Sequence, residues 1–229
     1  MSEEKMQGVL RKMSTGREYR KTAVFEVRDA VEPKEAEESR IVEGYATIFD
    51  EPYLLFDFGD YAVYEIVDRN AFAECDMSDV IMQYDHEGRV FARISNGTLE
   101  VTPDEKGLFV HADLSGTEAG RELFDEIKGG YTTKMSFGFC VAEDVREYKE
   151  SHDTGRVEVT RKITKISKLY DVSAVSIPAN DATEISARSY CDGVIAELEA
   201  ERLKSAAIEE ARAKALATIN KYRKESGND

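Results

Sequence analysis

A serine stands in the run Lys134-Met135-Ser136-Phe137-Gly138-Phe139, where two aromatics and a glycine mark a strand closing on a core. A buried hydroxyl there needs a hydrogen-bond partner. An exposed one on a rigid strand is placed to act as a nucleophile. Hydrolysis by such a serine requires a base to take its proton, a group to orient that base and donors for the oxyanion. The chain has three histidines. His111 lies in the alternating run Leu108-Phe109-Val110-His111-Ala112 and His152 in an apparent hairpin tip, so both read as structural or solvated. His86 sits at a strand end between Asp85 and Glu87. The residues alone give a candidate dyad, Ser136 and His86. A strand serine bonded to a carbonyl and a surface histidine paired with a carboxylate are the competing readings.

The elements that must position the pair are mostly strands. Ala23–Val27, Ile41–Phe49, Tyr61–Val67, Val80–Tyr84, Arg89–Ile94, Thr98–Val101 and Leu108–Leu114 are rich in branched and aromatic residues and bounded by turn residues. Ser115-Gly116-Thr117-Glu118 has capping-box spacing. With Ala119, Leu123 and Ile127 recurring at four and Gly129-Gly130 as a stop, it predicts one amphipathic helix leading into the serine strand. Phe137–Tyr148 and Val157–Ser167 read as a long hairpin, and Lys168–Ile177 as a separate final strand. From about Asp192 to Lys224 the composition is that of a long helix. Its apolar stripe is interrupted by Glu201, Ser205 and Arg212, which suits docking on a partner better than a core. The expected class is α+β: an antiparallel β-barrel with a few flanking helices and a long C-terminal helix.

Composition narrows the function classes. The chain of 229 residues carries a net charge of −15. Residues 1–21 are net +3 and 192–229 net −1, which leaves −17 on 22–191. So acidic a unit repels a nucleic-acid backbone, and no direct nucleic-acid partner is expected. Cys75, Cys140 and Cys191 are odd in number and in no CxxC pattern, so neither a disulfide framework nor a zinc site is indicated. No apolar run has the length of a membrane span and no signal-peptide core is present, so a cytosolic chain with no membrane partner is expected. The expected organisation is a flexible arm over 1–21, one domain over 22–190 and a helical tail over 191–229.

Several motifs together resemble those of the prohead proteases of tailed bacteriophages, which share the fold of the herpesvirus maturation protease. Glu43–Asp50 is similar to that family's opening strand, and Glu65 through Phe72 to its E-x-I…G-A-F block. Asp85-His86-Glu87 falls at its H-D histidine, and Asp104–Leu108 at its D-x-x-G-L turn. Lys134–Phe139 resembles its M-S-[FI]-G-F serine strand, and Leu169–Asn180 its closing segment. The six occur in the family's order over residues 41–180.

The resemblance implies a serine endopeptidase with Ser136 as nucleophile and His86 as base. The third member falls on Asp171, where the family usually has Glu. Asp85 or Glu87 orienting His86, with Asp171 paired to Lys168 or capping a strand end, is the alternative. Gly129-Gly130 is one candidate for the oxyanion donors. Implied partners are the major capsid protein with its scaffolding segment, and the chain itself through self-cleavage and a possible homodimer. The implied place is the procapsid in the bacterial cytoplasm, and no cofactor is implied. A non-catalytic scaffold or assembly protein acting through the C-terminal helix is the second reading.

Overall fold

Alternation of apolar and polar side chains sets the strands of this computed structural model, which describes residues 17–27, 40–151, 154–175 and 181–225. Among the described residues, ten strands run in order as β1 (Arg17–Val27), β2 (Ile41–Ile48), β3 (Tyr53–Asp57), β4 (Tyr61–Val67), β5 (Ile81–Tyr84), β6 (Glu87–Arg93), β7 (Leu99–Pro103), β8 (Gly107–Asp113), β9 (Lys134–Glu150) and β10 (Val157–Val175). Helix α1 (Glu118–Lys128) precedes β9, and α2 (Asp181–Glu225) follows β10. By compactness the chain forms two units, Met1–Ala187 and Arg188–Asp229.

The first unit is mostly sheet. Its main path runs β3-β4-β10-β9-β1-β2-β8-β7, with β5 added beside β10 and β6 beside β5. The sheet is mixed, which corrects the antiparallel expectation. β10 is antiparallel to β9 along nearly its whole length but parallel to β4 over Val157–Ile163 and to β5 over Asp171–Ala174. Its 19 residues leave room for two short strands end to end on one edge. Asp68 N donating to Ile163 O and Ile166 N to Ala71 O hold the connection between them. The path ends at β3 and β7, so the described pairings curl the sheet into a half-barrel without closing it. Lys168–Val175 continues β10 rather than starting a separate strand. Tyr53–Asp57 adds β3, which the turn residues before it conceal.

β1 begins at Arg17, so residues 17–21, expected in a mobile arm, are strand. The reason is pairing available only in the folded chain: Arg17–Val24 lies along β9, and Phe25–Val27 switches to β2 after a bulge between Lys21 and Ala23. α1 is capped by Thr117, whose Oγ1 accepts from Gly120 N at 3.0 Å, and Gly130 follows its end at φ 76°. Its Leu123, Phe124 and Ile127 enter one core with Met135, Phe137, Phe139, Val172 and Ala174. Phe137 and Phe139 stack at 4.6 Å, and full burial of each such ring stabilises the fold by about 2–3 kcal/mol. The core thereby holds β9 rigid where Ser136 sits.

In the second unit, Cys191, Val194 and Leu198 are buried on one helical face, and residues 199–217 are all exposed. Glu209–Arg212 and Glu210–Lys214 pairs line that stretch. The helix starts at Asp181, about three turns ahead of the expected start near Asp192. Among the described residues, no helix is long and apolar enough to cross a membrane. His152, the arm 1–16, and Pro178-Ala179-Asn180 lie outside the described residues.

Candidate active site

Side chains on β9 alternate across the sheet, so Met135 and Phe137 enter the core while Ser136 points to the opposite face. In the β9–β10 ladder Ser136 stands opposite Ser173, and Asp171 opposite Gly138. Both β10 residues therefore share the serine's face. The parallel neighbour β5 brings Ile81 beside Asp171 and Gln83 beside Ser173. β5 then turns sharply into β6.

That turn carries the histidine. Tyr84 pairs with Glu87, leaving Asp85 and His86 as a two-residue hairpin loop, at φ 49° and 63°. Positive φ at both central residues is the type I′ pattern, whose twist matches the flanking strands. Asp and His are among the few non-glycine types that enter this region readily. Asp85 N donates to Ala174 O at 2.9 Å, tying the turn to β10.

The three side chains meet in a line. His86 Nε2 lies 2.6 Å from Ser136 Oγ, and Nδ1 lies 2.5 Å from Asp171 Oδ1. A carboxylate can only accept, so Nδ1–H donates to it and Nε2 of the neutral ring accepts the serine proton. Ser173 Oγ donates to the same Oδ1 at 2.8 Å, and Arg17 Nη2 donates to Oδ2. Asp171 and Ser136 have no exposed surface, and the His86 side chain is 5% exposed. Burial pushes the Asp171 carboxyl up, but the His86 hydrogen bond, the Arg17 charge and the Ser173 hydroxyl outweigh it. The net shift is downward. The carboxylate is thus ionised at neutral pH.

Of the alternatives for Nδ1, Asp171 is the carboxylate in contact. Lys168, the alternative partner for Asp171, pairs with Asp76 instead, at 2.8 Å. Glu87 is exposed at the start of β6. His111 binds Glu43 at 2.8 Å, far along the other sheet branch. Burial raises the Cys75 thiol to about 11, which removes it as a rival nucleophile at neutral pH. Among the described residues, no group of three or more His, Cys, Asp or Glu could hold a metal ion.

Two neighbours were not singled out by sequence reasoning. Ser173 was findable, since it lies two residues from Asp171 and so shares its strand face. Arg17 had no local signal: it lies 154 residues from its partner. An ordered chain from hydroxyl through imidazole to carboxylate can transfer a proton from an attacking serine and hold the resulting imidazolium.

A profile described as the caudovirus prohead serine protease family matches residues 27–193. Among solved structures, the bacteriophage T4 capsid assembly protease, gp21, is similar at 10% identity and a TM-score of 0.37. The similarity covers 71% of this chain and 99% of that one. No curated protein matches.

Proposed function

The chain belongs to the caudovirus prohead serine protease family, and on that premise we propose that it is a serine endopeptidase in which Ser136 is the nucleophile, His86 the general base and Asp171 the group that orients it. The observation that carries this reading is the continuous Ser136–His86–Asp171 hydrogen-bond line. Ser136 Oγ attacks the scissile carbonyl while His86 Nε2 takes its proton. The imidazolium, held through Nδ1 by Asp171, then protonates the leaving amine. Water, activated by the same nitrogen, hydrolyses the acyl-serine.

The substrates proposed are the scaffolding segment of the major capsid protein and the chain's own termini, cut inside the procapsid. An extended polypeptide is the natural form of such a substrate, because it can add backbone hydrogen bonds beside a strand. Ser136 has no exposed surface in this arrangement. A scissile carbonyl therefore reaches Oγ only once that side chain is uncovered.

The exposed Leu203, Ile208 and Leu216 of α2 favour a second reading, an assembly protein that binds capsid protein through this helix. One comparison separates the two. Wild type and Ser136→Ala are coexpressed with capsid protein and their intact masses measured. Trimming lost in a folded Ser136→Ala supports the protease. Trimming that persists, with host proteases excluded, removes it. Assembly that fails on deleting residues 199–229 but proceeds with Ser136→Ala favours the assembly role.

A further inference from the structure

We propose that Arg17 is a positioning residue for this site, holding Asp171 in the rotamer that faces His86. The proposal rests on the protease reading for its catalytic meaning, but the contact is testable without it. Asp171 Oδ1 accepts from both His86 and Ser173, and Oδ2 accepts from Arg17. The carboxylate has no exposed surface. Without the guanidinium, Oδ2 loses a charge-assisted donor in a place where that loss is costly. Rotation about χ2 toward another donor would then turn Oδ1 off the imidazole.

Arg17 is itself held in place. Its backbone pairs opposite Cys140 at the start of the β1–β9 ladder, and its guanidinium lies 4.5 Å from the centroid of the Tyr170 ring. Tyr170 precedes Asp171 in β10, so the same short stretch of strand supplies both the stacking face and the anion. Three residues further along β1, Arg20 binds Glu65 and Glu18 in the buried interior, which anchors the strand from its other face. Arg17 lies ahead of the family-matched residues 27–193, so a segment outside that stretch completes the site.

The charge on Arg17 has a definite effect. The groups facing Asp171 are His86 from the β5–β6 turn, Ser173 from β10 and Arg17 from β1. Tyr170 lies under the guanidinium, Cys140 stands opposite Arg17 in the ladder with its thiol toward the Tyr170 hydroxyl, and Ser136 connects to Asp171 through His86. A cation on Oδ2 keeps the carboxylate ionised to lower pH, in line with its downward shift. Removing it moves loss of the Asp171–His86 contact to higher pH.

The test is proton NMR of the full chain, following the downfield Nδ1–H of His86. Only three histidines are present, and His86→Gln assigns the signal. In Arg17→Ala the signal is expected to broaden and to vanish at higher pH on acidification than in wild type. Arg17→Lys should retain it in part, and added methylguanidinium should restore it in Arg17→Ala. Self-trimming or capsid-protein trimming should fall about ten- to a hundredfold in Arg17→Ala. An Arg17→Ala signal identical to wild type in shape and pH dependence overturns the proposal, whatever the trimming assay gives. A displaced signal together with trimming that survives Ser136→Ala upholds the contact and sinks the protease reading instead.

Discussion

Asp171 holds its charge without any exposed surface because three different strands or turns bring it a donor. This makes it the residue at which orientation and protonation can be separated. In Asp171→Asn the amide can present N–H to Nδ1, which puts the ring proton on Nε2, the nitrogen that must accept from Ser136. The expected loss of processing rate is about 10³–10⁴-fold, with the folded structure retained, measured by timed intact-mass assays beside circular dichroism. A loss no larger than about threefold would show that Asp171 serves the fold rather than the reaction.

At the scale of the element, the β5–β6 hairpin carries His86 on a two-residue loop whose residues both have positive φ. Asp85 tolerates that region and a β-branched side chain does not. Asp85→Val should cost about 1–2 kcal/mol in urea unfolding. Its effect on processing should exceed that loss of stability, because the strain falls on the residue that aims the imidazole. Asp85→Gly relieves the same strain and should keep the stability within about 1 kcal/mol of wild type. If Asp85→Val processes normally at wild-type stability, the turn is not what positions His86.

At the scale of the whole sheet, a buried ionic network joins strands distant in sequence. Arg161 binds Glu18, Glu65 and Asp144, and Arg20 binds Glu18 and Glu65, so β1, β4, β9 and β10 share one set of charges. Tyr53 from β3 also donates to Glu65. Burial pushes Glu65 up, but the Arg20 and Arg161 charges outweigh it and hold the carboxyl below its ordinary range. A folded-state value depressed below the unfolded one means stability that is complete above the unfolded value of about 4 and lost as pH falls below it. Urea unfolding should therefore show stability steady from about pH 7 to pH 5 and falling steeply below about pH 4. Glu65→Gln should lower stability at pH 7 by about 3–5 kcal/mol, since two buried guanidinium groups lose their shared acceptor, and should flatten the acid fall. An unchanged acid fall in Glu65→Gln would move its origin to other carboxylates.

Residue type and short-range period make part of this architecture legible in the chain alone. Alternation in Ile41–Ile48, the Thr117 cap with its following helix, and a serine at the mid-strand of Lys134–Phe139 are local facts, legible because side-chain direction repeats every two or 3.6 residues. His86 stood out because it is a histidine at a strand end between two acids. The tertiary structure alone decided which carboxylate reaches it, since Asp85 and Glu87 flank it in sequence while Asp171 arrives from 85 residues away. The parallel β5–β10 register sets that meeting, and no local pattern encodes which strand lies beside which. The same holds for Arg17, which reads as part of a basic arm until β9 offers it a ladder of hydrogen bonds. Backbone pairing is nearly blind to side-chain type, so its partners are chosen by the packing of the whole sheet.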